Sequence, residues 1–255
     1  MGNILTLAQK ELRAYFVSPI AYVLLVFFAL LFGFFYASSI NYVVQLSMGQ
    51  FGFGGPQVVN INEVMIRPLF GNTAVVLLFM LPMLTMRSFA EEKRSGTIEL
   101  LLTSPLTDFQ IIMGKFLGAM ALYTLMLSLT VIHIGALFWY GEPEWAPVLS
   151  GYLGLLLMGG SFISIGLAIS SMTKNQIVAG VATFAVLLFF WVINWLGEAA
   201  GPTTQSVLAY LSILDHLDDF SKGVIDTTHL TYYASFITIG LFLTAKSMDM
   251  ARWNG

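Results

Sequence analysis

The sequence predicts an all-α membrane protein with six transmembrane helices, an N-terminal helix at the membrane surface and a charged segment between the second and third spans. Hydrophobic residues make up 57% of the 255 residues and charged residues only 10%, whereas a soluble domain carries about 25% charged residues. The apolar residues also gather into runs close to the length of about 20 that crosses a bilayer. Most of the surface is therefore expected to face lipid or other membrane protein.

The chain is predicted to form one domain, residues 1–255, whose spans follow from its apolar runs. The predicted spans are Ile20–Ile40, Gly71–Met86, Ile111–Tyr140, Val148–Met172, Ile177–Leu196 and Leu230–Ala245. Pro82 is expected to kink the second span, and the third is long enough to tilt in the bilayer. The stretch 36–39 resembles a signal-cleavage site, but it fits equally well inside an uncleaved first span.

Residues 1–18 are predicted to form an amphipathic helix that lies in the membrane interface and ends at Ser18 and Pro19. Its predicted apolar face holds Ile4, Leu5, Ala8, Leu12, Tyr15 and Phe16, and its polar face holds Thr6, Gln9, Lys10 and Arg13. The alternative is a simple extension of the first span. Lys10 and Arg13 argue against that alternative, because burying each would cost about 2.5–3.5 kcal/mol.

The segment 87–108 is charged and helix-prone, although it lies between two charge-free apolar runs. Ser88 and Glu91 have the spacing of a capping box, which predicts that a helix starts where the chain leaves the membrane. Four charged residues are expected to fill the solvent side of this helix: Glu91, Glu92, Lys93 and Arg94. Gly96 is expected to end it.

A second short helical piece is predicted at Thr97–Thr103, with three consecutive leucines at 100–102. Thr107 and Gln110 repeat the capping-box spacing, so the helix of the third span is expected to start there. The result would be a short, rigid element across the membrane face that presents carboxylates to a docking partner. The alternative interpretation is a solvated loop between two membrane helices.

The distribution of Lys and Arg predicts the orientation, because cytoplasmic loops of membrane proteins are enriched in both residues. An even number of spans places both termini on one side. That side would hold nine of the 11 Lys and Arg residues, namely Lys10, Arg13, Arg87, Lys93, Arg94, Lys115, Lys174, Lys246 and Arg252. The other side would hold only Arg67 and Lys222. Both termini are therefore predicted to be cytoplasmic.

The predicted outer segments differ in length and character. The first, near 41–70, opens with a glycine-rich run at 49–56 that predicts tight turns or flexibility. The second, 141–147, is predicted to be a simple hairpin. The third, 197–229, contains a charge-free piece at 199–214 that is too short to span. That piece is expected to form a re-entrant element or short helices before the last span.

The sequence contains no nucleotide site of its own. Gly114 and Lys115 are followed by Phe116, whereas a phosphate-binding loop needs a full glycine-rich turn and a hydroxyl residue after the lysine. The absence of cysteine excludes disulfides, thiol catalysis and cysteine-ligated metals. No metal, no other cofactor and no catalytic residue are expected in this chain.

Two positions carry ionisable residues that invite a functional interpretation. His133 stands inside the third span, where it is a candidate for a transport pathway. The alternative is a neutral histidine that bonds a Ser or Thr on a neighbouring helix, and Ser128 and Thr130 show that such hydroxyl groups are at hand. The run Asp215–Asp219 contains metal-ligand side chains, but a solvated acidic helix start is the favoured interpretation.

Two classes of membrane protein are considered as alternatives. An intramembrane serine hydrolase would use Ser161 as nucleophile and His133 as base, but acyl transfer also needs an oxyanion site and an oriented base. A self-contained secondary carrier, independent of ATP, would place several charged groups at midspan. The centres of the predicted spans hold no Asp, Glu, Lys or Arg.

Two stretches resemble the type 2 permeases of ATP-binding-cassette (ABC) exporters. The run LPMLTMRSFAEEKRSGTIELLLTSPLTDFQIIMGKF, which ends at Phe116, closely resembles the signature region of that family. The run LSILDHLDDFSKGVIDTTHLTYYASFITIGLFLT, residues 211–244, is similar to the last outer helix and sixth span of one branch. That branch is associated with gliding motility and nitrous oxide reductase maturation. With the amphipathic N-terminus, the resemblance covers nearly the whole chain.

The resemblance implies a permease subunit whose coupling helix, within 87–108, docks in a cleft of a cytoplasmic ATPase subunit. The residues implied in coupling are Glu91, Glu92, Arg94, Gly96, Thr97 and Glu99, with Lys174 and Asn175 in the loop 170–176. ATP and Mg²⁺ would be bound by two copies of that ATPase.

The resemblance further implies a second permease chain, identical or closely related, within the inner (cytoplasmic) membrane of a bacterial cell. An accessory partner in the periplasm or anchored in the membrane fits this class, whereas a nucleic-acid partner does not. ATP hydrolysis would then drive transport, or force delivered across the membrane.

Overall fold

The computed structural model describes residues 2–48, 60–103, 105–141, 143–198 and 202–253. All regular structure in these ranges is helical, as the sequence predicts. The helices are α1 Gly2–Val17, α2 Pro19–Ser47, a π-helix at Asn62–Ile66, α3 Arg67–Thr85, α4 Ala90–Ser95, α5 Ile98–Leu102, α6 Asp108–Tyr140, α7 Trp145–Met172, α8 Gln176–Glu198, α9 Pro202–Leu211, α10 Ile213–Ser221 and α11 Thr227–Trp253.

The N-terminal helix and the first long helix meet at the predicted boundary. Ser18 has an extended backbone, and its Oγ accepts a hydrogen bond from the backbone N–H of Ile20 at 3.4 Å. Pro19 follows at the first position of α2, where its missing N–H costs nothing. The end of the N-terminal helix at Ser18 and Pro19 is therefore confirmed.

Five helices of the described chain are long and apolar enough to cross a membrane. They are α2, the stretch Asn62–Ser95 that contains α3, α6, α7 and residues Gln176–Trp195 of α8. The remaining long helix, α11, has 27 residues, a length of about 40 Å. Its Ser, Thr and Tyr residues make it more polar than the other five. Five of the six predicted spans thus coincide with such helices, and the sixth stays a prediction.

Two span boundaries differ from the prediction. The first long helix continues to Ser47, beyond the predicted end at Ile40. The second begins one turn early, at Arg67, directly after the π-helix. Arg67 can occupy a helix start beside the membrane because its guanidinium makes two hydrogen bonds to Asp218, at 2.7 and 2.8 Å. Pro82 lies within the helix, as predicted.

One end of the helix bundle, here called the basic end, collects the predicted cytoplasmic residues. The last turns of α11 are fastened there, because Arg252 bonds Asp108 at the start of α6 and Ser247 donates to the carbonyl of Ser171 at the end of α7. α1 packs along the first turns of α6 at the same end. α1 and the last turns of α11 therefore lie at the same end of the bundle.

α7 is the most deeply buried of the five candidate spans and lies at the centre of the bundle. Small residues allow its neighbours to approach closely. A Cβ atom added at Gly159 would lie 2.2 Å from the ring of Tyr123 in α6, and one at Gly166 would lie 2.0 Å from the hydroxyl of Thr85 in α3. Side chains at these glycines would push the neighbouring helices away.

The opposite end of the bundle carries the short helices α9 and α10. α9 packs back against α8, and α10 packs against α7, where the hydroxyl of Ser150 donates to the carbonyl of Phe220 at 2.6 Å. Short helices before the last long helix are therefore confirmed. The glycine-rich run 49–56 and residues 199–201 lie outside the described residues.

Candidate functional site

The charged segment forms two short helices joined by a glycine. α4 ends at Gly96, whose φ of 74° is in the left-handed region that glycine adopts without a steric penalty, and α5 follows. The next long helix starts at a capping box, because Thr107 and Gln110 exchange side-chain to backbone hydrogen bonds at 3.3 Å. The predicted break at Gly96 and the predicted restart at Thr107 are both confirmed.

Ser88 does not cap α4, which corrects the prediction. Its hydroxyl is turned inward, toward the Tyr15 hydroxyl of α1 at 3.4 Å. The backbone N–H groups of Phe89 and Ala90 instead both donate to Oγ of Ser170, at 3.1 Å each. Ser170 lies near the end of α7, so the first turn of α4 is capped from another helix and fixed to it.

A buried lysine joins three helices at the basic end. The side chain of Lys115 is 2% exposed, and its Nζ donates to Glu11 at 3.1 Å, to Glu92 at 2.7 Å and to the carbonyl of Ser88 at 2.8 Å. Three acceptors satisfy the three hydrogens of the ammonium group. This cluster, here called the lysine joint, links α1, α4 and α6.

The lysine joint was not predicted from the sequence. Glu11, Glu92 and Lys115 are far apart in the sequence, whereas capping and periodicity rules describe only local spacings. One signal was present: Glu11 fits neither the apolar nor the polar face assigned to the N-terminal helix.

α1 packs on α6 through two glycines. A Cβ atom added at Gly114 would lie 2.6 Å from the side chain of Leu7, and one at Gly118 would lie 2.7 Å from Cβ of Glu11. The buried face of α1 is therefore centred on Leu7, whereas Leu5, predicted on the apolar face, is 59% exposed. The prediction assigned the apolar face of α1 to contact with lipid, so it did not identify the face of α1 that packs against α6.

Glu91 and Glu92 have different surroundings, although the sequence predicts both on the solvent side. Glu91 is half exposed and pairs with Arg87 at 2.7 Å, and this hydrogen bond lowers the pKa of the Glu91 carboxyl. Glu92 points into the lysine joint, where burial raises its pKa and the charge of Lys115 opposes that shift. Glu91 is thus a surface charge, and Glu92 is part of the support beneath α4.

The loop between α7 and α8 lies beside α4. Lys93 donates a hydrogen bond to the carbonyl of Ser171, and burial lowers the pKa of Lys93, with a further lowering by the nearby charge of Lys174. Asn175 caps α8, because its side-chain oxygen accepts from the backbone N–H of Ile177 at 3.0 Å. The structure therefore brings Lys174 and Asn175 to the same surface as the charged segment.

The exposed surface of the segment, here called the docking face, consists of Arg94, Thr97, Glu99 and Leu100, with Gly96 between them. Leu100 is 73% exposed, and an apolar side chain beside charged ones is typical of a protein contact. A cleft of about 310 Å³ separates α4 from α1 and is bordered by Lys10. Lys10 and Arg13 are exposed on α1, as predicted.

His133 lies on α6 and contacts α2. Its ring meets those of Phe32 and Tyr36 edge-on, with ring centres 5.4 and 5.2 Å apart. Ser128 and Thr130 lie on the same helix as His133, and their hydroxyls donate to carbonyls of that helix. The Nδ1 atom of His133 is buried without a hydrogen-bond partner among the described residues. A role in a pathway stays a prediction.

Ser161 is not arranged as a nucleophile. Its hydroxyl donates to the carbonyls of Leu157 and Tyr233, at 3.1 and 3.4 Å, which places it between α7 and α11. His133 contacts α2 instead. The structure therefore does not bring the proposed serine and base of a hydrolase together.

The acidic run at 215–219 lies on α10. Asp218 pairs with Arg67 and with Lys222, and Asp219 also pairs with Lys222 at 3.0 Å. In the part of the chain that the structure describes, no three side chains of His, Asp or Glu converge as metal ligands.

The chain matches the family model described as "ABC-2 family transporter protein" over residues 5–245. It is similar to "Probable multidrug ABC transporter permease YbhR" of Escherichia coli, with 31% identity over 145 residues, which are 55% of this chain and 38% of that protein. It is also similar to "Probable ABC transporter permease protein NosY" of Pseudomonas aeruginosa, with 28% identity over 68% of this chain and 69% of that protein.

Proposed function

Because the chain belongs to the ABC-2 family of transporter proteins, we propose that it is the permease subunit that receives energy from a separate cytoplasmic ATPase. The permease subunit crosses the membrane several times and has no nucleotide site of its own. Its ATPase partner would bind ATP and Mg²⁺. ATP hydrolysis in the partner would drive transport, or force delivered across the membrane.

The observation that supports this proposal is the way in which α4 and α5 are attached to the membrane helices. α4 is held from three sides, by the lysine joint, by the Ser170 cap and by the bond of Lys93 to α7. Its docking face nevertheless stays exposed. A segment that is rigidly attached to the membrane helices and open to a partner is suited to pass on a rigid-body movement.

The remaining features of the assembly follow from the family and from the charge distribution. The six long helices would all span the inner membrane, with the basic end and both termini in the cytoplasm. Two permease chains, identical or closely related, would stand side by side above two ATPase copies. Lys174 and Asn175 would add a smaller contact beside the docking face, and a periplasmic or membrane-anchored partner would meet the outer helices.

The proposal is tested by reversing charges on the docking face. The chain carrying both Arg94→Glu and Glu99→Arg is expected to reach the membrane at a normal level, because both residues are exposed. Recovery of the ATPase subunit with the tagged chain is expected to fall at least about tenfold, since repulsion replaces complementary charges at a contact.

A matched control places a charge reversal at the opposite end of the bundle. Glu144→Arg also changes an exposed carboxylate to a guanidinium, and it should leave ATPase recovery unchanged. Full recovery of the ATPase by the docking-face variant, at a normal membrane level, would show that the partner binds elsewhere.

A further inference from the structure

Two histidines meet nitrogen to nitrogen at the outer end of the bundle. His216 of α10 is 3% exposed, and His229 lies in the first turn of α11. Their Nδ1 atoms are 2.5 Å apart, and the rings are steeply inclined with centres 4.8 Å apart. Such a short distance between two ring nitrogens requires a hydrogen between them, because two lone pairs at this distance repel.

The other nitrogen of each ring is already committed as a donor. Nε2 of His216 lies 2.8 Å from the carbonyl oxygen of Tyr210, which can only accept. Nε2 of His229 lies 3.0 Å from a carboxylate oxygen of Asp219. Each ring therefore carries its proton on Nε2, and a neutral ring of this kind offers only a lone pair at Nδ1. One additional proton is needed to bond the two Nδ1 atoms.

We infer that His216 and His229 form a proton-binding site that holds one proton between their Nδ1 atoms and thereby fastens α10 to α11. The pair then carries one positive charge in total. A second proton would place two N–H groups against each other, and removal of the shared proton would leave two lone pairs in contact. The link between the two helices is therefore complete only when one proton is bound.

The groups around the pair favour a single positive charge. From α10, the carboxylates of Asp215 and Asp219 face the pair, and Asp219 stays ionised because its bond to Lys222 lowers its pKa. From α11, the ring of Tyr232 stacks on His216 with centres 3.8 Å apart, a contact that stabilises an imidazolium. From α9, Tyr210 contributes its carbonyl. Asp226, before α11, is the other nearby carboxylate.

The pH dependence follows from this count of protons. Burial lowers the pKa of His216, and this effect outweighs the opposing effects of the Tyr210 carbonyl and the neighbouring carboxylates. The unfolded segment takes up a second proton near the ordinary histidine pKa of about 6.5, whereas the folded pair resists it. The link is therefore expected to weaken as pH falls below that value. It also weakens at alkaline pH, when the shared proton is lost.

The test uses the full chain in phospholipid nanodiscs, labelled with ¹⁵N at histidine and titrated from pH 5 to 9. The sequence has three histidines, and the variant His133→Gln removes the signals of the third. We expect the Nδ1 signals of the pair to stay between the protonated and unprotonated positions near pH 7. Uptake of the second proton should occur below the ordinary histidine pKa.

Hydrogen exchange of α10 provides the second readout. Its backbone protection is expected to be greatest near neutral pH in the natural chain, and this maximum is expected to be lost in His229→Gln, whose amide can still donate to Asp219 but lacks Nδ1. Two histidines that titrate independently near 6.5, with flat protection of α10, would overturn the inference. So would one equivalent of Zn²⁺ shifting both Nδ1 signals at pH 7, which would indicate a metal site instead.

Discussion

Lys115 shows how a single residue can organise one end of this protein. Its ammonium group also lies 5.0 Å from the ring centre of Phe89, so charge, hydrogen bonds and an aromatic face all hold it in place. From the sequence, Lys115 counts as one cytoplasmic cation among nine. Its role was not predictable, because Glu11 stands 104 positions away and Glu92 23 positions away.

Replacing Lys115 is expected to destabilise the chain strongly. Lys115→Met keeps an unbranched side chain of similar length but leaves two largely buried carboxylates to repel each other. The removal of one partner from a buried ion pair costs about 3–5 kcal/mol. Thermal unfolding of the purified chain should report this loss. Lys246→Met, which removes an exposed lysine, is the control, and an equal effect of both variants would contradict the role of the joint.

The two neighbouring glutamates are expected to behave differently. Glu91→Gln should change the free energy of unfolding by about 0–1 kcal/mol, as for other exposed pairs. Glu92→Gln should cost about 1.5–3 kcal/mol, because a bond to a charged group is lost. It should cost less than Lys115→Met, since burial already disfavours the charge of Glu92 and raises its pKa. Denaturation of the single variants tests the order, and a larger effect at Glu91 would reverse it.

At the scale of helices, the capping and breaking signals in the sequence predicted most boundaries correctly. The start of α2 at Ser18 and Pro19, the break at Gly96 and the start of α6 at Thr107 all depend on local hydrogen bonds or backbone angles. The cap of α4 was assigned to the wrong serine, since Ser170 acts from a helix more than 80 positions away in sequence. Contacts between helices were the part that local spacing could not predict.

The packing of α1 on α6 predicts contrasting effects of two glycine substitutions in α6. Gly118→Ala brings a methyl group within 2.7 Å of Glu11 and 3.2 Å of the Ala8 carbonyl, and such overpacking costs about 1–3 kcal/mol. Gly135→Ala meets nothing within 4 Å, so it should be neutral or slightly stabilising.

Both glycine variants can be compared in a chain that carries Leu7→Cys, because the natural sequence has no cysteine. Leu7 is buried against α6. A maleimide should label this cysteine faster when α1 detaches, as expected for Gly118→Ala. Equal labelling of the two variants would mean that α1 is held by something other than this close approach.

Gly96 sets the angle between α4 and α5, so its replacement should affect coupling more than folding. Gly96→Ala places a Cβ atom at a φ of 74°, at a cost of about 1–2 kcal/mol. No atom beyond the two adjacent residues of the chain lies within 4 Å of that position, so the cost comes from the local backbone conformation rather than from a clash with another part of the protein. Membrane level should be normal, while stimulation of the partner ATPase falls. Gly96→Asn, which tolerates this conformation better, should be less impaired; normal stimulation in Gly96→Ala would contradict the argument.

At the scale of the whole molecule, the bundle has a basic end that carries α4 and α5 and an opposite end that carries the short helices α9 and α10. α7 connects them directly, because it supports α4 through Ser170 and α10 through Ser150. Composition and apolar runs were sufficient to predict an all-helical membrane protein. They did not predict the central position of α7. Its glycines and serines are less apolar than the residues typical of membrane spans, and their packing role becomes clear only when the neighbouring helices are known.

The orientation of the molecule is tested by two reporters that fluoresce only in the cytoplasm. A reporter fused after Gly255 is expected to fluoresce, because the basic end should lie on the cytoplasmic side. The same reporter inserted after Asp226, in the exposed turn before α11, is expected to stay dark. The reverse pattern would show that the topology is inverted. Fluorescence at both positions would show that α11 does not cross the membrane.

The lysine joint places a membrane-surface helix and the docking segment on one mechanical linkage. If α1 lies in the headgroup layer, as its exposed Lys10 and Arg13 suggest, then α4 cannot tilt without shifting a helix that lipids hold in place. Anionic lipids attract such cations by about 1 kcal/mol each. The bilayer would then resist any movement of α4 that the partner ATPase causes, and the lipid composition would determine how strong this resistance is.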